Sequence, residues 1–258
     1  MSPRILVAED NQINQRVARD LLQNAGFEVD VVENGQQVLD ALARGTYDLI
    51  LLDCQMPVMD GFEAARALRL SADADALKIV AMTANVMSGD RERCLAAGMD
   101  DHLAKPFTPR ELLERVRYWL ERPRGAPAVH SPHVPVPGME LVNDAALEEL
   151  IALGEEDAEE LLEDLQSLLQ VALEKARGDL EIALATRAWE SLGRSAHTLK
   201  SSTATLGLFP LSETCRGLEQ AANSGQQLES EEYLARFQRL VAPSMEELDA
   251  TIRKLLAR

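Results

Sequence analysis

Between Pro123 and Gly138 the chain places five prolines and two glycines. Proline has no amide hydrogen to donate, and glycine is costly to order, so neither a helix nor a strand can be carried through this stretch. It is a semi-extended linker. A chain interrupted in this way cannot build one continuous core. The sequence is therefore organised as a first domain over residues 1–122, a linker over 123–138 and a second domain over 139–258. Charge divides unevenly as well. Residues 1–122 hold 14 basic and 20 acidic side chains, whereas residues 139–258 hold 11 and 23.

Of the 258 residues, 46% are hydrophobic and 27% charged, a composition that supplies packed cores and excludes wholesale disorder. The net charge of −17 repels phosphate backbones, and no basic cluster offsets it, so nucleic acid is excluded as a partner. No apolar run approaches the ~20 residues needed to span a bilayer, which excludes membrane insertion. The N-terminus meets charge too early for a signal peptide, and the expected location is cytoplasmic. Cys54, Cys94 and Cys215 are odd in number and form no Cys-x-x-Cys pair. They are expected to be reduced thiols, without a disulfide framework or zinc site.

The first half alternates short apolar segments with longer ones of helical period. Residues 5–8, 28–32, 48–52, 78–82 and 101–103 are the strand candidates. Helical segments such as 14–25 and 91–97 end at Gly26 and Gly98, as helix C-termini commonly do. Five strands alternating with five helices specify a doubly wound parallel sheet, with a ligand site beyond the carboxyl ends of the strands. Glu9, Asp10 and Asp53 fall at those ends, with Thr83 and Lys105 on the same edge. Convergent carboxylates repel unless a hard divalent cation or a proton joins them. With a hydroxyl and an ammonium group beside them, they suit a phosphoryl group on Asp53.

These residues lie in the segments Ile5 to Asn11, Leu51 to Phe62, Met82 to Asn85 and Lys105 to Phe107. On them, residues 3–121 resemble the receiver domain of two-component response regulators. The resemblance implies that Asp53 accepts a phosphoryl group from a phosphohistidine. It also implies that Glu9, Asp10, Asp53 and the backbone carbonyl of Gln55 hold Mg2+ (or Mn2+), and that Thr83 and Lys105 contact the acyl phosphate. Asn11, Asn14 and Gln15, with Met-Pro-Val-Met-Asp-Gly at 56–61, resemble the receivers of hybrid sensor kinases. His102 stands at a switch position, with Thr83, where that family usually has Tyr or Phe, so altered coupling to the far surface is expected.

The second half has almost no strand signal. Helices are expected from Asn143, over about 155–184 with a break near Gly178, and over 187–206, 210–223 and 231–256, the last kinked or broken at Pro243. Short turns between them give an antiparallel bundle. His130 and His133 belong to the linker, but His197 lies inside a helix. Leu192, Ala196, Leu199, Thr203 and Leu206 would face the core, leaving His197 exposed on the opposite side with Lys200, Ser201 and Ala204. An exposed imidazole, partly neutral near pH 7, is a suitable nucleophile, and Lys200 would steady a phosphoryl group on it.

The segment Ser195 to Gly207 is similar to the signature of histidine phosphotransfer (HPt) domains, over roughly residues 143–258. That resemblance implies a four-helix bundle with His197 as phosphoacceptor and without an ATP site. Ser201 stands where the family most often has Gly. Together the two resemblances imply a phosphorelay intermediate. A sensor histidine kinase would donate, a downstream receiver would accept, and exchange between Asp53 and His197 would bring the two domains into contact. Other readings are the C-terminal portion of a hybrid kinase, an Mg2+-dependent phosphatase, which commonly has Asp where this chain has Gln55, or an acidic docking module with an incidental histidine.

Overall fold

The computed structural model describes residues 2–70, 77–83, 90–105, 107–123, 141–154 and 157–257. They divide into two compact units, one within residues 1–134 and one within 135–258. Beyond Pro123 the expected linker, with His130 and His133, lies outside the described residues, as do Ala84, Asn85 and Pro106.

In the first unit the apolar segments form β1 (Arg4–Ala8), β2 (Glu28–Val32), β3 (Leu49–Asp53), β4 (Lys78–Thr83) and β5 (Asp101–Ala104). All pair in parallel, in the order β2-β1-β3-β4-β5. Between and after them run α1 (Gln12–Asn24), α2 (Gly35–Leu42), α3 (Gly61–Arg69), α4 (Asp90–Ala96) and α5 (Pro109–Leu120). Every residue of β3 is buried, as expected for a strand in the middle of a sheet covered on both faces. The winding direction reverses between β1 and β3, and doubly wound sheets open their crevice at such a switch point. Register aligns Ala8 with Leu52, Asp53 with Met82 and Thr83 with Ala104. The residues at the carboxyl ends therefore share one row.

Side chains cap the starts of α1, α3 and α5. The Asn11 side chain accepts from the N–H groups of Ile13 and Asn14 at the start of α1. Asp60 and Glu63 form a reciprocal capping box on α3, and Thr108 and Glu111 form another on α5, where Pro109 sits in the first turn. Both devices satisfy amide donors that a helix leaves without partners. Cys54 and Cys94 are free and buried, with sulfurs 3.9 Å apart.

A buried ionic cluster anchors β5. Asp101 is 1% exposed. Its Oδ2 accepts from Arg115 Nη1 at 2.5 Å and from Trp119 Nε1 at 2.9 Å, which ties α5 to β5.

The second unit contains α6 (Asp144–Gly154), α7 (Ala158–Ala185), α8 (Trp189–Thr205), α9 (Phe209–Asn223) and α10 (Gln227–Leu256). From α7 to α10 each connection is three residues long, each helix packs on the next, and α10 packs on α7. Connections this short make neighbours antiparallel and close a four-helix bundle. The short α6 lies against α7 and α10. The expected breaks at Gly178 and Pro243 do not occur. α7 runs through Gly178 and α10 through Pro243. Both residues are exposed. The buried stripe of Leu173, Ala176, Leu180 and Ala183 passes beneath the glycine, and that of Phe237, Ser244 and Leu248 beneath the proline. Packing of those stripes outweighs the ~1 kcal/mol propensity cost of glycine, and water can satisfy the carbonyl that proline leaves without a donor.

Removing Asp101 leaves a buried guanidinium and an indole N–H without their shared acceptor. Asp101→Ala should destabilise the first unit by about 3–5 kcal/mol, as expected for half of a broken buried pair. Denaturant unfolding of the full chain checks this.

Candidate functional site: a carboxylate pocket and a histidine held by a glutamate

Glu9 and Asp10 follow β1, Asp53 ends β3, Thr83 ends β4 and Lys105 follows β5. The parallel sheet brings all five to its carboxyl edge. Glu9, Asp53, Thr83 and Lys105 are buried and Asp10 is half-buried. One oxygen from each of Glu9, Asp10 and Asp53 lies within 4.8 Å of the others. Lys105 Nζ donates to Glu9 Oε2 at 2.5 Å and to Asp53 Oδ2 at 2.6 Å. The N–H of Gln55 donates to the other Asp53 oxygen, Oδ1, at 3.0 Å.

Carboxyl groups outnumber the ammonium in the pocket. Burial pushes the Glu9 carboxyl up to about 8. Lys105 opposes that shift, and the charge of Asp53 adds to it. Burial alone would pull the Lys105 ammonium down, but the charges of Asp53 and Glu9 outweigh it and hold Lys105 above the ordinary lysine value. One ammonium thus bridges two of the three clustered carboxyl groups. The donor set is entirely oxygen, the preference of Mg2+ and other hard cations, so the residues fit such an ion.

The loop from Asp53 to α3 is tightly built. The N–H of Met59 donates to the carbonyl of Pro57 at 2.8 Å, around a Val58 at φ +68° that is 84% exposed. This is a γ-turn with positive φ, a rare conformation and a strained one for a β-branched residue. A Cβ at Gly61 would stand 2.1 Å from the Asp53 carbonyl oxygen, so glycine is required for α3 to start against the end of β3.

His102 lies half-buried in β5. Its N–H donates to Asp101 Oδ1 at 2.9 Å and its carbonyl accepts from Arg115 Nη1 at 3.2 Å. The Asp101 cluster thus holds the backbone at the expected switch position.

In the second unit the expected core of α8 holds, with Leu192, Ala196, Leu199, Thr203 and Leu206 buried. The expectation for the opposite face does not. Ser201 and Ala204 are buried, and the His197 side chain is only 12% exposed, because α9 packs along that side of α8. A single helical wheel cannot show that two faces of one helix are covered by different neighbours. His197 Nδ1 lies 2.7 Å from Glu219 Oε1 on α9. Lys200 Nζ donates to Glu219 Oε2 at 2.5 Å and is 3.4 Å from His197 Nδ1.

A carboxylate only accepts, so in the neutral imidazole Nδ1 carries the proton that it donates to Glu219 and Nε2 keeps its lone pair. Nε2 hydrogen-bonds to none of the described residues. Lys200, expected to steady a phosphoryl group on His197, stays beside the imidazole and also donates to Glu219. Burial would raise the Glu219 carboxyl, but the hydrogen bond and charge of His197 and the charge of Lys200 hold it below the usual range. Sequence reasoning missed Glu219. Its one signal is a glutamate among Leu218, Ala221 and Ala222 on a mostly apolar face.

The family description "Response regulator receiver domain" matches residues 5–117, and "Hpt domain" matches residues 149–257. The chain is similar to the sensor protein GacS of Pseudomonas syringae pv. syringae, 32% identical over 223 residues, which are 84% of this chain and 24% of that protein. It is also similar to the signal transduction histidine-protein kinase BarA of Shigella flexneri, 30% identical over 224 residues, which are 86% of this chain and 24% of that protein. The chain thus spans about a quarter of the length of these curated relatives. Among solved structures, the receiver domain of a Pseudomonas aeruginosa PAO1 sensor histidine kinase, with magnesium in its active-site cleft, is 42% identical. The match has a TM-score of 0.45 and covers 47% of this chain and 100% of that one. Among the described residues no helix is long and apolar enough to cross a membrane. The carboxylate pocket lies within the first family match and the histidine within the second, so this chain belongs to the response regulator receiver family in its first unit and to the Hpt family in its second, a combination that serves phosphorelay signalling.

Proposed function

We propose that Asp53 is the phosphoacceptor of the receiver unit and His197 the phosphocarrier of the Hpt unit. The observation that carries this reading is the pairing of each nucleophile with a fixed partner: Lys105 at 2.6 Å from Asp53 and Glu219 at 2.7 Å from His197. Glu9, Asp10, Asp53 and the carbonyl of Gln55 would hold Mg2+, and Mn2+ shares its preference for oxygen. When bound, the cation supplies positive charge to the phosphoryl oxygens.

In the receiver unit, a carboxylate oxygen of Asp53 attacks the phosphorus of an incoming phosphohistidine. The N–P bond breaks as the O–P bond of an acyl phosphate forms, and the electron pair stays on the leaving imidazole nitrogen. Lys105 and Thr83 meet the phosphoryl oxygens as charge spreads over them. In the Hpt unit, Nε2 of His197 attacks an aspartyl phosphate. The O–P bond breaks, an N–P bond forms and the aspartate leaves as carboxylate. The imidazole acquires positive charge in this step, and its Nδ1 proton already points at Glu219. The proposed donor is a sensor histidine kinase and the final acceptor a separate receiver, with Asp53 and His197 also exchanging within the chain.

Acetyl phosphate should label Asp53 only with Mg2+ or a similar ion present. Asp53→Asn should abolish that label, and undiminished labelling of the variant would overturn the assignment. His197→Gln should abolish phosphorylation of the second unit. Glu219→Ala should slow it by roughly tenfold to a hundredfold, the equivalent of the ~1.5–3 kcal/mol of a charged hydrogen bond, while leaving the Asp53 label intact. Equal transfer rates in wild type and Glu219→Ala would remove Glu219 from the mechanism.

Exchange within one chain is tested by mixing Asp53→Asn with His197→Gln, since in that mixture transfer must be intermolecular. The native chain should exchange at a rate independent of its concentration, because a tether commonly gives a millimolar effective concentration. The micromolar mixture should be slower and dilution-sensitive. Equal rates would mean that the two sites serve separate outside partners.

A further inference from the structure

The polar run that opens α1 is used by no step above, although it is largely buried. Asn11 is 4% exposed, Asn14 9% and Gln15 8%. All three converge on Glu9. Gln15 Nε2 donates to the Glu9 carbonyl at 2.6 Å, Asn14 Nδ2 to Glu9 Oε1 at 3.1 Å, and the N–H of Asn11 to the same Oε1 at 3.3 Å. The Asn11 side chain also caps α1 through the N–H groups of Ile13 and Asn14, so the turn carrying Asn14 is fixed relative to the end of β1.

Glu9 therefore has two unlike oxygens. Oε1 is held by neutral amide donors, while Oε2 faces Lys105 and the pocket shared with Asp53. An amide is well suited to this task. It orients a carboxylate without placing a second fixed cation beside it, whereas an apolar side chain would leave a buried oxygen short of a donor. Outer partners of this kind commonly set the orientation and strength of a metal ligand.

We propose that Asn14 is a positioning residue for divalent-cation binding, holding Glu9 Oε1 so that Oε2 is presented to the ion. The inference rests on the reading of Glu9, Asp10 and Asp53 as the cation site, and adds a residue outside that set. Its effect would appear in cation affinity rather than in the chemical step.

The test uses the full chain and the metal alone. Mn2+ binding is followed by loss of the free-ion electron paramagnetic resonance signal, with Mg2+ as competitor, for the native chain, Asn14→Leu, Asn14→Ala and the exposed-site control Gln12→Ala. Both Asn14 variants should bind about tenfold to a hundredfold more weakly, and Gln12→Ala should match the native chain. Acetyl phosphate labelling of Asp53 should then need correspondingly more Mg2+ for half its maximal rate but reach a similar maximum. Asn14→Leu keeps the branched shape of the side chain and Asn14→Ala avoids added bulk, so a folding defect in one leaves the other to report. Unchanged affinity in a folded Asn14 variant would overturn this inference alone. A native chain that binds neither ion would overturn the cation-site reading and this inference with it.

Discussion

The receiver unit depends on one ammonium group. Lys105 Nζ bridges Glu9 and Asp53 at 2.5 and 2.6 Å, joining residues 96 and 52 positions away in the chain. Without it, two buried carboxylates with a third close by would repel across the crevice, and at least one would have to take up a proton. With it, the ends of β1, β3 and β5 are drawn to one point. Buried ion pairs are expensive to assemble, because both partners lose their water. Their retention here is intelligible as chemistry, since a pocket short of positive charge is one into which a cation and then a phosphoryl group can enter.

The two units solve a common problem in opposite ways. In the receiver unit the proposed nucleophile is itself the anion, and Lys105 holds it. In the Hpt unit the proposed nucleophile is neutral, and the anion Glu219 stands behind it, fixed by Lys200. A carboxylate needs its charge offset before an anionic phosphoryl group can approach, so a lysine beside it helps. An imidazole needs its tautomer defined and its developing positive charge balanced, so a carboxylate on the far nitrogen helps. Each site therefore contains the charge opposite to the one that its own nucleophile carries or develops.

Rigidity around the receiver pocket comes from short-range devices. The γ-turn at Val58 and the close approach of Gly61 to Asp53 hold one side. The capped start of α1 holds the other. The Asp101–Arg115–Trp119 cluster fixes β5 to α5 just before Lys105. Conformational strain at Val58 persists because the surrounding loop is determined by hydrogen bonds on either side of it.

Much of this was determined by the sequence itself. Apolar runs with helical segments between them specified the parallel sheet, and a parallel sheet necessarily gathers Glu9, Asp10, Asp53, Thr83 and Lys105 at one edge. The helix starts at Asn11, Asp60 and Thr108 were written in local capping chemistry. The tertiary structure decided the contacts between elements: that α9 covers the His197 side of α8, that Glu219 meets both His197 and Lys200, that Asn14 reaches back to Glu9, and that α7 and α10 continue through Gly178 and Pro243. Periodicity records which positions of a segment avoid water. Which neighbour covers a face, and which buried polar group meets another, depends on packing between segments far apart in the chain, and local sequence carries no term for that distance.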